Sequence, residues 1–212
     1  MKKNKTTDSQ ILETFFSHPE MDVKYISSER KKELEQLALL ISDSIEAFGF
    51  AKMVFVCTHN SRRSQLGQVC MRAAAEYLEI DHVFTYSGGT EATAFNHRMV
   101  AAIENAGFEV EKIDEEENPK YRLHFSLKNE SDELYFSKKY DHAYNPNEHF
   151  IAVMVCDQAD ADCPFIPGAY KRFSLPYLDP KAFDDTENEA KAYQEKVIEI
   201  GREMFYLASK LK

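Results

Sequence analysis

The sequence predicts an α/β fold, a mostly parallel four-stranded sheet in a three-layer arrangement with helices on both faces. Three observations predict it. The mostly apolar run Lys52 to Val56 ends in Cys57-Thr58-His59-Asn60-Ser61-Arg62-Arg63-Ser64 and gives way to a helical pattern, which describes a strand, a tight loop and a helix N-terminus. Strand and helix patterns then alternate over short links, the rhythm of right-handed crossovers between parallel strands. Finally, Phe150-Ile151-Ala152-Val153-Met154-Val155 is unbroken in its apolar character, as a central parallel strand is.

Taken in order, residues 1 to 10 are polar and expected to be mobile, and Ile11, Leu12, Phe15 and Phe16 then suggest a short helix stopped by Pro19. A second helix is expected from Ser27 or Ser28, with Leu34, Leu37, Ile41, Ile45 and Phe48 at helical spacing and Gly49 as its stop. Residues 1–49 thus form an N-terminal helical extension, and residues 50–212 the main domain. Such an extension covers a sheet face or edge; in its sharper role it would make a homodimer. After the loop, a helix from Ser64 to about Leu78 buries Leu66, Val69 or Cys70, Ala73 and Tyr77, which makes Cys70 a packing residue. A strand at Val83 to Ser87 follows, then a turn at Gly88-Gly89-Thr90 and a helix capped by Asn96 and ended by Gly107. Residues 115–148 break the rhythm. Tyr121, Leu123, Phe125 and Leu127 alternate before a polar turn and Leu134-Tyr135-Phe136, so an inserted β-hairpin is expected there. A last strand is expected from Arg172 to Leu175. The C-terminal helix carries Tyr193, Val197, Ile200, Met204 and Leu207 on one face.

The formal net charge of -10 argues against nucleic acid as a partner. No apolar run reaches membrane-spanning length and the N-terminal residues do not resemble a signal peptide, so a soluble cytoplasmic protein without membrane association is expected. Four irregularly spaced cysteines do not form a disulfide scaffold.

The chemistry concentrates at Cys57-x5-Arg63-Ser64. A short loop between a strand and a helix turns successive amides around one centre, which makes an oxyanion nest. The helix N-terminus adds its unpaired N–H groups and favours both a tetrahedral anion and a thiolate at Cys57. Arg63 offers a planar fork for bidentate binding, Ser64 can donate to the sulfur, and Asn60 suits a left-handed position. Thr58, His59, Asn60, Ser61, Arg62 and Ser64 are therefore the candidate substrate-binding residues, around Cys57 and Arg63. Cys156 ends the strand at 150–155 as Cys57 ends its own, and the carboxyl ends of such strands are where ligands bind. Cys163 follows in the same loop. The two can form a disulfide if the segment bends or partly unwinds. His142, His149, Cys156 and Cys163 recur every seven residues, but His149 and Cys156 flank a strand roughly 20 Å long, too far apart for one metal ion. No metal or cofactor is expected. Asp179, after the last strand, is a candidate general acid.

Cys57-x5-Arg63-Ser64 resembles the phosphate loop of the low-molecular-weight protein tyrosine phosphatases and of the thioredoxin-coupled arsenate reductases that share their fold. Val155-Cys156 through Cys163-Pro164, Pro167, and Leu178-Asp179-Pro180 resemble the redox segment and acid loop of the reductases, as does Ser87-Gly88-Gly89-Thr90-Glu91 before the Asn96 helix. The similarity covers about residues 51–114 and 149–212. It implies that Cys57 attacks arsenate held by the loop and Arg63, with Asp179 protonating the departing oxygen. Cys156 would then attack the Cys57 adduct, and Cys163 would attack Cys156, leaving a disulfide for a thioredoxin-like reductant. The resemblance equally implies a rival, hydrolysis of phosphotyrosine through a Cys57 phosphoenzyme. A reading of another class is a non-catalytic oxyanion-binding or redox-sensing module. Four departures stand out. Arg62 replaces a common cysteine and His59 a common glycine, making the loop bulkier and more cationic, with His59 potentially at positive φ. Gln68 stands where such reductases often carry a glutamate that helps hold potassium. Lys181-Ala182-Phe183 replaces the tyrosines that flank a phosphotyrosine ring in the phosphatases.

Overall fold

Alternating apolar and helical segments resolve into six helices and six strands in the computed structural model, which describes residues 6–124, 133–162 and 165–212. The N-terminal extension holds α1 (Thr6–Phe16) and α2 (Ser28–Phe48). Helix α1 begins inside the polar stretch expected to be mobile. The side chain of Ser27 caps α2 by accepting from the Arg30 N–H, and Gly49 closes it at φ 79°, a conformation that costs glycine little. Leu34, Leu37 and Ile41 of α2 are fully buried, and each such side chain contributes about 1.5–3 kcal/mol by leaving water. They join the same core as the sheet, with α2 packed on the first strand and the C-terminal helix, so the extension covers the main domain.

The sheet has four parallel strands in the order β2-β1-β5-β6, flanked by helices on both faces. Strand β1 (Ala51–Cys57) is central and buried except at Lys52. It leads through the Cys57 loop into α3 (Arg63–Tyr77), then β2 (Val83–Gly89), which includes both glycines expected in a turn, and α4 (His97–Asn105). Tyr77, expected inside, is partly exposed at the end of α3 and packs its ring 5.1 Å from that of Phe16.

The insertion differs from a free-standing hairpin. Strand β4 (Tyr121–His124) pairs antiparallel with β3 (Glu109–Lys112), a short charged strand without an apolar pattern to announce it. Tyr121 and Tyr135 exchange both backbone bonds, at 2.9 and 2.8 Å, as a hairpin requires; its expected apex, Phe125 to Asp132, lies outside the described residues. The return leg then runs along the edge of β2, where Gly89 N–H donates to Lys138 O and Tyr140 N–H to Gly89 O. That leaves this end of the edge strand covered.

The chain finishes with β5 (Phe150–Met154), α5 (Asp157–Asp162), β6 (Ala169–Ser174) and α6 (Glu189–Ser209). Among the described residues, no helix is long and apolar enough to cross a membrane.

Candidate active site

The loop from Cys57 to Arg62 has its carbonyls tied outward. Cys57 O accepts from Thr90 N–H, Thr58 O from Glu91 N–H, Ser61 O from Asn96 N–H and Arg62 O from Leu66 N–H, at 2.8–3.1 Å. Side chains take the other two, Ser137 Oγ donating to His59 O at 2.8 Å and Gln65 Nε2 to Asn60 O at 3.1 Å. With every carbonyl pulled away, the amides of Thr58 to Arg63 find no acceptor among the described residues, the arrangement of an anion nest. Asn60 makes the bend at φ 46°, a left-handed position that asparagine tolerates. His59 is not at positive φ, and its Nε2 lies 3.5 Å from the Glu91 carboxylate at the rim.

Cys57 is buried at the end of β1, with its Sγ 3.0 Å from Ser64 Oγ. Asn60 Nδ2 donates to the same hydroxyl at 2.8 Å, which leaves the Ser64 proton free to point at sulfur. Lys138 N–H in turn donates to Asn60 Oδ1 at 2.9 Å, so the insertion reaches the Cys57 sulfur through two side chains. The Lys138 amine itself is buried, and that burial lowers its pKa to about 8. Arg63 opens α3 and aims at the acid loop: Nη1 donates to Tyr177 O at 2.8 Å and Nη2 to Asp179 Oδ2 at 2.7 Å. Its Nε is buried and finds no partner among the described residues, a strong donor beside the nest. Asp179 uses its other oxygen to cap the short helical turn Pro180–Phe183 through Lys181 N–H, which fixes the carboxylate.

Register explains why a second sulfur arrives here. Val56 of β1 pairs with Met154 of β5, so Cys156 stands level with Thr58, and its buried Sγ lies 3.7 Å from Thr58 Oγ1. Ala159 N–H donates to that sulfur at 3.4 Å. Residues 157–162, expected as a loop, form α5. Asp160 accepts from Arg172 and Ser174 and ties α5 to β6. Cys163 lies outside the described residues. Cys57, Cys70 and Cys156 are free thiols.

Other candidates have different neighbours. The Arg62 side chain donates to Tyr193 Oη at 2.7 Å and to Asp184 at 3.1 Å, so its charge serves the packing of α3 on α6 and adds little to the cradle. Ser61 Oγ donates to Ala94 O, which leaves its amide as the group facing the nest. Gln68 Nε2 donates to Glu133 and Thr85 O, occupying the region where the reductases' potassium glutamate would stand. Cys70 is fully buried, and burial pushes its thiol well up, consistent with packing. Among the described residues, no three His, Cys, Asp or Glu side chains converge to hold a metal. Sequence reasoning missed Tyr177, Ser137 and Lys138. Each acts over more than seventy residues of separation, with no local pattern to reveal it.

No family model matches the chain, and no curated protein matches it either. Solved structures do. A mutant of YwlE from Bacillus subtilis is 16% identical, covering 76% of this chain and 98% of its own, at a TM-score of 0.51. The low-molecular-weight protein tyrosine phosphatase of T. tengcongensis is 16% identical, over 76% and 99%, at 0.51. One from Bacillus subtilis solved in solution is 18% identical, over 76% and 96%, at 0.51. The likeness is one of fold: the chain that carries the Cys57 loop and the Arg63–Asp179 pair has the fold of the low-molecular-weight protein tyrosine phosphatases.

Proposed function

We propose that this protein reduces arsenate to arsenite through Cys57, Cys156 and Cys163, with electrons from a thioredoxin-like dithiol protein. The amides of Thr58 to Arg63 and the Arg63 guanidinium hold the oxyanion. The Cys57 thiolate attacks arsenic(V) and an oxygen leaves as water, protonated by Asp179. Cys156 then attacks the Cys57 sulfur. The sulfur–arsenic electron pair departs with arsenic, which leaves as arsenite, and a Cys57–Cys156 disulfide forms. Attack of Cys163 on Cys156 frees Cys57 and leaves the Cys156–Cys163 disulfide, which the dithiol donor reduces.

One observation carries this reading over phosphotyrosine hydrolysis, the buried Cys156 sulfur 3.7 Å from Thr58 Oγ1. Hydrolysis through a phosphocysteine needs Cys57, Arg63 and Asp179 and gives that sulfur no work. The relay also makes a demand on α5. Helix α5, Asp157 to Asp162, by itself rises about 7.5 Å at 1.5 Å per residue, beyond the ~7 Å limit for bridged Cα atoms. Helix α5 must therefore unwind when the disulfide forms.

The test compares the wild type, Cys163→Ser and Asp179→Asn for thioredoxin-driven arsenate turnover and for p-nitrophenyl phosphate hydrolysis. The relay requires arsenate turnover in the wild type and its loss beyond the first cycle in Cys163→Ser. Arsenate turnover that survives Cys163→Ser overturns the mechanism. Fast hydrolysis without arsenate turnover selects the phosphatase, and inactivity in both assays selects a non-catalytic oxyanion or redox module.

A further inference from the structure

The N-terminal extension reaches the catalytic arginine through the root of the acid loop. Arg30, in the first turn of α2, stacks its guanidinium 4.6 Å from the centre of the Tyr177 ring. Its Nε donates to Glu203 Oε2 at 2.9 Å and its Nη2 to Pro176 O at 3.2 Å. The Tyr177 hydroxyl donates to the same Glu203 oxygen at 2.7 Å. Tyr177 and Glu203 are buried. The main chain of Tyr177 bonds to Val155 O through its N–H and accepts from Arg63 Nη1 through its carbonyl. Arg30 thus grips one side of the residue whose other side holds Arg63, two positions before Asp179.

These contacts are not needed to dock α2. Leu34, Leu37 and Ile41 already bury that helix, and Ser27 caps it. We infer that Arg30 is a positioning residue, clamping Pro176 and Tyr177 so that Asp179 and Arg63 stand in register at the oxyanion cradle. The inference rests on the acid role given to Asp179 above. A cavity of about 700 Å³ lies beside the clamp, lined by Tyr25, Ile26, Leu178 and Arg202 among others. Tyr25 supplies a control within it, because its ring meets Lys24 and Arg202 and, among the described residues, has no hydrogen bond to Pro176 or Tyr177.

The experiment compares Arg30→Met, Arg30→Lys and Tyr25→Ala with the wild type in two measurements. The first is turnover of arsenate and of p-nitrophenyl phosphate, separated into kcat and KM. The second is amide hydrogen exchange across residues 175–184, which requires no turnover. Arg30→Met is expected to lower kcat by about tenfold or more while KM moves less than about threefold, since an acid out of place slows chemistry more than capture. Its acid-loop amides should exchange about tenfold faster than in Tyr25→Ala. Arg30→Lys keeps the charge without the fork and should recover part of both effects. Exchange and kcat in Arg30→Met equal to those of Tyr25→Ala overturn the clamp, as does faster exchange at unchanged kcat. Should Arg30→Met not fold, Arg30→Lys against Tyr25→Ala decides by the same criteria. A wild type that turns over neither substrate refutes the proposed chemistry, and exchange alone then judges the clamp.

Discussion

Replacing Gly89 with alanine would drive a methyl group into the oxyanion cradle from behind. Gly89 ends β2 opposite Cys57, and a Cβ built on it falls 2.2 Å from Glu91 O, 2.6 Å from Thr58 O and 2.8 Å from Asn60 N. All three are backbone atoms, so no side chain can swing aside. Gly89 cannot retreat either, because its N–H is held by Lys138 O and its carbonyl by Tyr140 N–H. Restoring ordinary contacts of about 3.3 Å or more requires shifts of roughly 1 Å at Glu91 and over half an ångström at Thr58. Misplacement of that size at a reacting centre costs about 10²-fold in rate, and the overpacking itself about 1–3 kcal/mol of stability. Gly67→Ala is the matched control. The three atoms nearest its methyl all belong to the Phe55 ring, the closest at 2.6 Å, inside the core. Turnover and thermal unfolding are measured on both variants. Gly89→Ala should lose turnover far beyond its loss of stability, and Gly67→Ala should lose stability with turnover near that of the wild type. Turnover within about threefold of wild type in Gly89→Ala would refute the reasoning.

The Lys138 amine predicts a pH dependence. Unfolded, it keeps its proton to its ordinary 10.5; folded, it gives it up near 8, so between these values the unfolded chain binds more protons and stability rises with pH. Denaturant unfolding at pH 8 and 9.5 should show a gain of up to about 2 kcal/mol, absent in Lys138→Met; a fall with pH that Lys138→Met abolishes would contradict the sign. Arg62→Met removes the donor to Asp184 and Tyr193 and should cost about 1–3 kcal/mol with inorganic phosphate affinity nearly unchanged; a tenfold weaker affinity would mean that Arg62 serves the cradle after all. Cys70→Ser places a hydroxyl where a fully buried thiol packs, so a loss of about 1–3 kcal/mol in stability and none in turnover is expected from chemical denaturation and the arsenate assay.

What the sequence discloses depends on how local the cause is. The strand, loop and helix around Cys57 are contiguous, and their apolar period, Asn60 and Arg63 all speak for the same geometry. Helix α5 lacks that legibility because its six residues, Asp157 to Asp162, carry no apolar stripe. Its anchors Arg172 and Ser174 belong to another strand. Strand β3 is mostly charged and takes its conformation from β4. Arg62 is similar. Its place in the loop makes it a substrate-binding candidate that would render the cradle more cationic, yet neighbouring residues at a helix start point in different directions, and the side-chain partners of Arg62 lie more than 120 positions away.

The two additions to the fold act on the two halves of the site. Amides aimed at one centre repel each other and gain nothing from water when enclosed, so a nest holds its shape before an anion arrives only if other bonds fix the peptide planes. Four of the six loop carbonyls are fixed by amides of the main domain, and one by Gln65 of α3. The sixth, His59 O, takes its shorter bond, 2.8 Å, from Ser137 of the insertion and a longer one, 3.4 Å, from Thr93 Oγ1, and Thr93 N–H and the Asn118 side chain hold Ser137 in turn. Lys138 adds the bond that orients Asn60 toward Ser64. The acid loop gains its anchor from Arg30 in the extension, as the cradle gains its own from the insertion. Both loops that the proposed chemistry brings together around an oxyanion are thus braced in part by residues outside the segments that carry the phosphatase-like motifs.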